Sequence, residues 1–157
     1  MKRIFFSLIF VLIFCCFSNA QSILKFKKIF EQSGQLDSSY YNAYNKLTNH
    51  YIKSESDSCL YYADKLIKDY PDSAFRVAMA FRKKAVYFKS VNRDSSYFYI
   101  EKSLNKVKNI KNSFRKWVVS YMCYDLFSFN KRKEKNFYES LRFLDSSLKY
   151  VTLCKQN

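Results

Sequence analysis

Among the groups of this 157-residue chain that could bind a metal, attack a carbonyl carbon or relay a proton are one histidine, five cysteines and 13 carboxylates. Zinc chemistry needs several Cys or His ligands at short, regular spacing. No Cys-x-x-Cys pair occurs, and His50 has no neighbouring ligand set. Covalent catalysis needs a nucleophile with a base in reach, and no Ser or Cys stands in such a pattern with His50. Asp64 and Asp69 could form a carboxylate pair, but they fall in helical segments and read as solvated. Gly34 is the only glycine, too few for a loop that cradles phosphate. These residues predict no catalytic site, no metal and no cofactor; the chain does not read as an enzyme.

Charge is the other chemical resource. Lys and Arg number 28, giving a net charge of +15 at neutral pH. Such a balance suits nucleic acid or an anionic surface. The first twenty residues weigh against nucleic acid. Met1-Lys2-Arg3, the apolar run Ile4–Phe17 and the small residues Ser18 and Ala20 read as a secretory signal cleaved after Ala20. The run is too short to span a membrane. A periplasmic or secreted product is therefore expected, beginning at Gln21. The basic residues are spread along most helices and read as a solvated face, with anionic-surface binding as a lesser reading. Cys15 and Cys16 leave with the signal. Cys59, Cys123 and Cys154 remain, an odd number. Cys59 and Cys123 read as small core residues, and whether any of the three pair stays open.

The elements behind these residues are repeated helices. "DSCLYYADKLI" at 57–67 returns as "DSSYFYIEKSL" at 94–104, 37 residues on. Leu60, Ala63, Ile67 and Tyr70 share one face of a helix capped by Asp57 or Ser58 and stopped by Pro71, the only proline. Tyr97, Ile100, Leu104 and Val107 repeat the stripe; Leu141, Leu144, Leu148 and Val151 give it a third time. The preceding segments repeat as well. Tyr44-Leu47-Thr48-Tyr51 is matched by Phe81-Lys84-Ala85-Phe88, and less regularly by Val119-Met122-Cys123-Leu126. Lys84 stands where an apolar residue belongs. The third unit is longer, and the basic hexapeptide Lys131–Asn136 is expected to loop out as the excess. In the last helix the Leu141 stripe should face inward. Phe143 and Tyr150 should then be uncovered, which favours self-association.

The unit resembles the tetratricopeptide repeat. Large, leucine-like, small and aromatic residues mark that family's first helix, as in Tyr44-Leu47-Thr48-Tyr51. Small residues mark its second helix, as with Cys59 and Ala63, or Ser96 and Ser103, or Ser140 and Ser147; Pro71 fits its terminal proline. The resemblance covers residues 40–151. It implies an all-α fold, a right-handed superhelix of about three stacked antiparallel helix pairs. Residues 21–39 would form a helical lead-in and 152–157 a tail. It further implies a protein or peptide partner bound on the concave face. The inner positions would be Asn42, Asn45 and Asn49, then Met79, Arg82, Val86 and Lys89, then Trp117, Ser120 and Tyr124. A second implied role is a shortened or fragmentary sensory region of a signalling protein of this repeat type, a histidine kinase or transcriptional regulator.

Overall fold

A computed structural model describes residues 21–31 and 38–156. Residues 1–20, expected to be a secretory signal, and Gly34 lie outside these residues. Among the described residues there are seven helices and no strand: α1 (21–31), α2 (Ser38–Lys53), α3 (Ser58–Asp69), α4 (Ala74–Val91), α5 (Arg93–Val107), α6 (Ser113–Lys133) and α7 (Phe137–Lys155). Asparagines start three of them. The side chains of Asn92, Asn112 and Asn136 accept from the amides of Ser95, Arg115 and Glu139 at 2.9, 2.8 and 3.2 Å, satisfying donors that a helix start leaves free. Asp57 precedes α3 without a capping bond; its carboxylate accepts from the Tyr87 hydroxyl of α4 instead. Tyr70 closes α3 just before Pro71.

The helices pack as the pairs α2–α3, α4–α5 and α6–α7, each pair seated against the next. α2 also touches α4, and α4 touches α6, whereas α3 does not reach α5 and α5 does not reach α7. One layer, α2–α4–α6, is thus drawn together on the inner side of a curve while the other fans out. Ring stacking repeats with the pairs. Tyr51 on Tyr62 and Phe88 on Tyr99 both sit at 5.5 Å, and Phe127 lies on Phe143 at 4.8 Å. A first core gathers Phe30, Tyr44, Leu47, Leu66 and Ala80; a second gathers Ala78, Ile100, Val119, Cys123 and Phe127.

Small serines set the register inside the pairs. Ser96 and Ser103 of α5 donate to the carbonyls of Ala85 and Ala78 at 2.9 and 2.8 Å. Ser140 and Ser147 of α7 donate to those of Ser128 and Tyr121 at 3.0 and 3.1 Å. Ser128 therefore occupies the place of Ala85, and Phe127 that of Lys84. This moves the third unit further along α6 than the Val119-Met122-Cys123-Leu126 pattern suggested. The excess residues lie before and at the start of α6, which has 21 residues against 18 in α4. The hexapeptide Lys131–Asn136 is not a loop: Lys131–Lys133 form the last turn of α6, and only the next three residues turn the chain.

α7 also presents its faces in the opposite sense to the leucine stripe. Phe143 and Tyr150 are half-buried, with Tyr150 stacked on Tyr124 at 5.7 Å. Leu141, Leu144 and Leu148 are 65%, 40% and 56% exposed. The buried stripe is Ser140-Phe143-Ser147-Tyr150, one residue out of step. Its serines let the two backbones approach and bond, which a leucine at those positions would prevent. Lys84 is accommodated differently. It is 8% exposed, its ammonium lies 2.6 Å from Asp64 of α3, and it sits 4.8 Å from the Tyr99 ring.

Candidate partner-binding face

Of the ten residues singled out for a partner, six lie on α2 and α4 outside the buried core. On α2, Asn42 and Asn49 are exposed. Asn45 is half-buried and donates to the Tyr41 carbonyl at 3.1 Å, while Asn49 accepts from the Lys83 ammonium of α4. On α4, Arg82 is half-buried, and its Nε is enclosed with no hydrogen-bond partner among the described residues. Val86 packs on the edge of the second core, and Lys89 lies 4.8 Å from the Phe129 ring of α6. Met79 is a core residue. The three positions on α6 part company with the rest. Trp117 is half-buried, Ser120 is buried and donates to the Lys116 carbonyl, and Tyr124 turns to α7. With Ser128 in the place of Ala85, the residues of α6 that fall level with Arg82, Val86 and Lys89 are Asp125, Phe129 and Arg132. The only sequence signal for that shift is the spacing of Ser140 and Ser147.

Charge is sorted between the layers. α2, α4 and α6 carry twelve Lys or Arg and one carboxylate, Asp125. α3, α5 and α7 carry eight and six. The basic residues are therefore not an evenly spread solvated face. Of the inner-layer cations only Lys84 and Lys131 make ion pairs among the described residues. Five of the others, Arg76, Lys89, Arg115, Arg132 and Lys133, lie over aromatic rings. The Arg76 guanidinium lies 3.8 Å from the Tyr70 ring and 5.5 Å from that of Tyr41; Arg115 lies 5.1 Å from that of Phe75. A ring face holds a cation without neutralising it. Burial, with Arg82 adding to it, pushes the Lys83 ammonium down to about 8. Burial raises the Tyr41 hydroxyl, while Asn45, Arg76, Arg115 and Arg82 pull it back.

An open cleft of about 610 Å³ marks one end of this layer. Lys89 from the end of α4, Asn92 and Arg93 from the start of α5, and Phe129 and Lys133 from α6 line it.

The groups considered for chemistry do not converge. His50 is exposed and packs edge-on against Tyr51. Asp69 is not solvated: its carboxylate accepts from the Tyr40 hydroxyl and, at 3.0 Å, from Lys65. Asp64 holds Lys84. Cys59 and Cys123 are buried free thiols, both raised by burial to about 11; Cys154 is also free. Among the described residues no His, Cys, Asp and Glu cluster could hold a metal, and no helix is long and apolar enough to cross a membrane. No protein-family model, curated protein or solved structure matches the chain.

Proposed function

We propose that the protein is a non-catalytic, tetratricopeptide-like scaffold, exported from the cytoplasm, whose α2–α4–α6 face binds an acidic segment of a partner protein. The observation that carries this reading is the sorting of charge: twelve cations against one carboxylate on the inner layer, most of them without an ion pair. Like charges crowded on a low-dielectric surface raise the free energy of the unbound protein, and an anionic partner lowers it. Exposed Asn42 and Asn49 can bond an extended backbone, and Phe75 and Phe129 offer apolar contact beside the cations.

Fluorescence anisotropy with labelled twelve-residue peptides tests the reading. A glutamate-rich peptide should bind saturably and weaken about tenfold between 50 and 300 mM salt. A lysine-rich peptide should not bind. Equal binding of both, or of neither, would reject the reading. Retention on anionic vesicles without peptide binding would favour a membrane surface as the partner. Export is a separate claim. Mass spectrometry of the product from its native host should find Gln21 at the N-terminus, and a product retaining Met1–Ala20 would overturn it.

A further inference from the structure

Within that reading, and resting on it, we propose that the cleft between the ends of α4 and α6 is the anchor point of the acidic segment, gripping its carboxylates with Lys89, Arg93 and Lys133. Three observations converge there. First, the cleft is lined by cations from three separate elements and by no carboxylate. Second, one ring carries an unusual load. Lys89, Arg132 and Lys133 stand 4.8, 5.8 and 5.7 Å from the centre of Phe129. A ring quadrupole suits one cation well. Three around one ring repel each other, and none of the three makes an ion pair among the described residues. Third, the acid in the turn after α6 is already engaged. Glu134 accepts from the Tyr97 hydroxyl at 2.8 Å and from Lys131 at 3.1 Å. Burial pushes its carboxyl up, but those two bonds, with Lys131 and Arg93 nearby, outweigh burial and hold it below the ordinary range.

The donors suit the ligand. Lys89 and Lys133 bring three N–H groups each, and Arg93 a planar fork that matches a carboxylate. Ser90 does not compete for the ligand, because its hydroxyl donates to the Tyr87 carbonyl. The cleft volume is in the range of ligand sites and has room for more than one acidic side chain. Elsewhere on the inner layer, Arg82 is half-buried and Lys83 buried. In the cleft, Arg93 and Lys133 are exposed and Lys89 half-buried, and all three line one space.

The test compares the full chain with Lys89→Ala/Lys133→Ala and with Lys46→Ala/Arg115→Ala, a pair of inner-layer cations away from the cleft. Each binds the glutamate-rich peptide in anisotropy titrations at fixed salt. Lys89→Ala/Lys133→Ala should weaken binding by about thirtyfold or more, and Lys46→Ala/Arg115→Ala by about threefold or less, since cations converging on one concave space hold a carboxylate more strongly than isolated ones. Matching helical circular dichroism melts show that both variants are folded. If the two double variants lose affinity equally, the layer acts as a diffuse field; the anchor is then overturned while the inner-face reading stands. If the unaltered protein fails to bind the peptide, the inner-face reading fails, and the anchor with it. Arg93→Lys separates fork recognition from bulk charge: a loss of about threefold or more supports the fork, and unchanged affinity overturns the role given to Arg93.

Discussion

Ala63 is fully buried where α3 meets the first core. Ala63→Arg would place a guanidinium there without a carboxylate partner, so it should cost about 3–5 kcal/mol. Lys53→Ala, on an exposed helix end, should stay within about 0.5 kcal/mol. Urea melts of the two variants check this, and equal midpoints would contradict the helix assignment. Lys83 gives a pH test. Its folded value of about 8 lies below the ordinary 10.5, so between those values the unfolded chain holds the extra proton, and this site's contribution to stability rises with pH. Lys83→Met should therefore be more stable than the natural protein at pH 7, by about 1–3 kcal/mol, with the gain shrinking towards pH 10. The Cys59 and Cys123 thiols push the other way, losing stability as pH rises towards about 11. They do so in both proteins and cancel in the difference. A gain that is flat with pH would count against a desolvated Lys83. Neither Lys83 nor Lys84 announces its partner in the sequence, because Asn49 and Asp64 belong to other helices.

The turns inside the first and third helix pairs are built alike. After α2, the amide of Glu55 donates to Ile52 and that of Ser56 to Tyr51; after α6, the amide of Lys135 donates to Arg132 and that of Asn136 to Lys131. Each is the left-handed ending that normally recruits glycine. Here Glu55 and Lys135 take it up, at φ of 52° and 60°. Glu55→Gly and Lys135→Gly should each stabilise by about 0.5–1 kcal/mol, read as a higher melting midpoint, because glycine takes this conformation without steric cost. A lower midpoint for both would show that these side chains contribute more than the strain removes. α7 supplies the clearest contrast between pattern and packing. Phe143→Ala should cost about 3–5 kcal/mol. Leu144→Glu/Leu148→Glu should leave the melt within about 0.5 kcal/mol of the original and reduce any self-association seen by ultracentrifugation. The reverse ranking would restore the leucine stripe to the interior. The helices, their pairing and the 37-residue repeat of the first two units are legible in residue spacing. The face of α7 is not. Two stripes one residue apart are both apolar enough to bury, and the choice falls to Ser140 and Ser147, whose weight comes from hydrogen bonds to a neighbour.

Across the whole molecule the layers divide the labour: α3, α5 and α7 come close to balancing their charges, and α2, α4 and α6 do not. Total charge was plain in the composition. Its sorting was not, because it depends on which helices share a side. The same arrangement gives α4 a second role. Ala80 belongs to the first core, while its near neighbours Ala78 and Met79 belong to the second. The helix is a common wall, and neither half can melt without exposing one of its faces. Unfolding should thus be a single cooperative event despite the linear stacking of pairs, which would otherwise allow the ends to melt separately. The chain carries its own reporter for this. Trp117 is the only tryptophan and lies in α6, beyond the wall from Ala63. In Ala63→Arg, the fluorescence of Trp117 should lose its native signal at the same urea concentration as the helical circular dichroism, both shifted down together. A tryptophan transition left in place while the dichroism moves would mean that α4 separates the two halves instead of joining them.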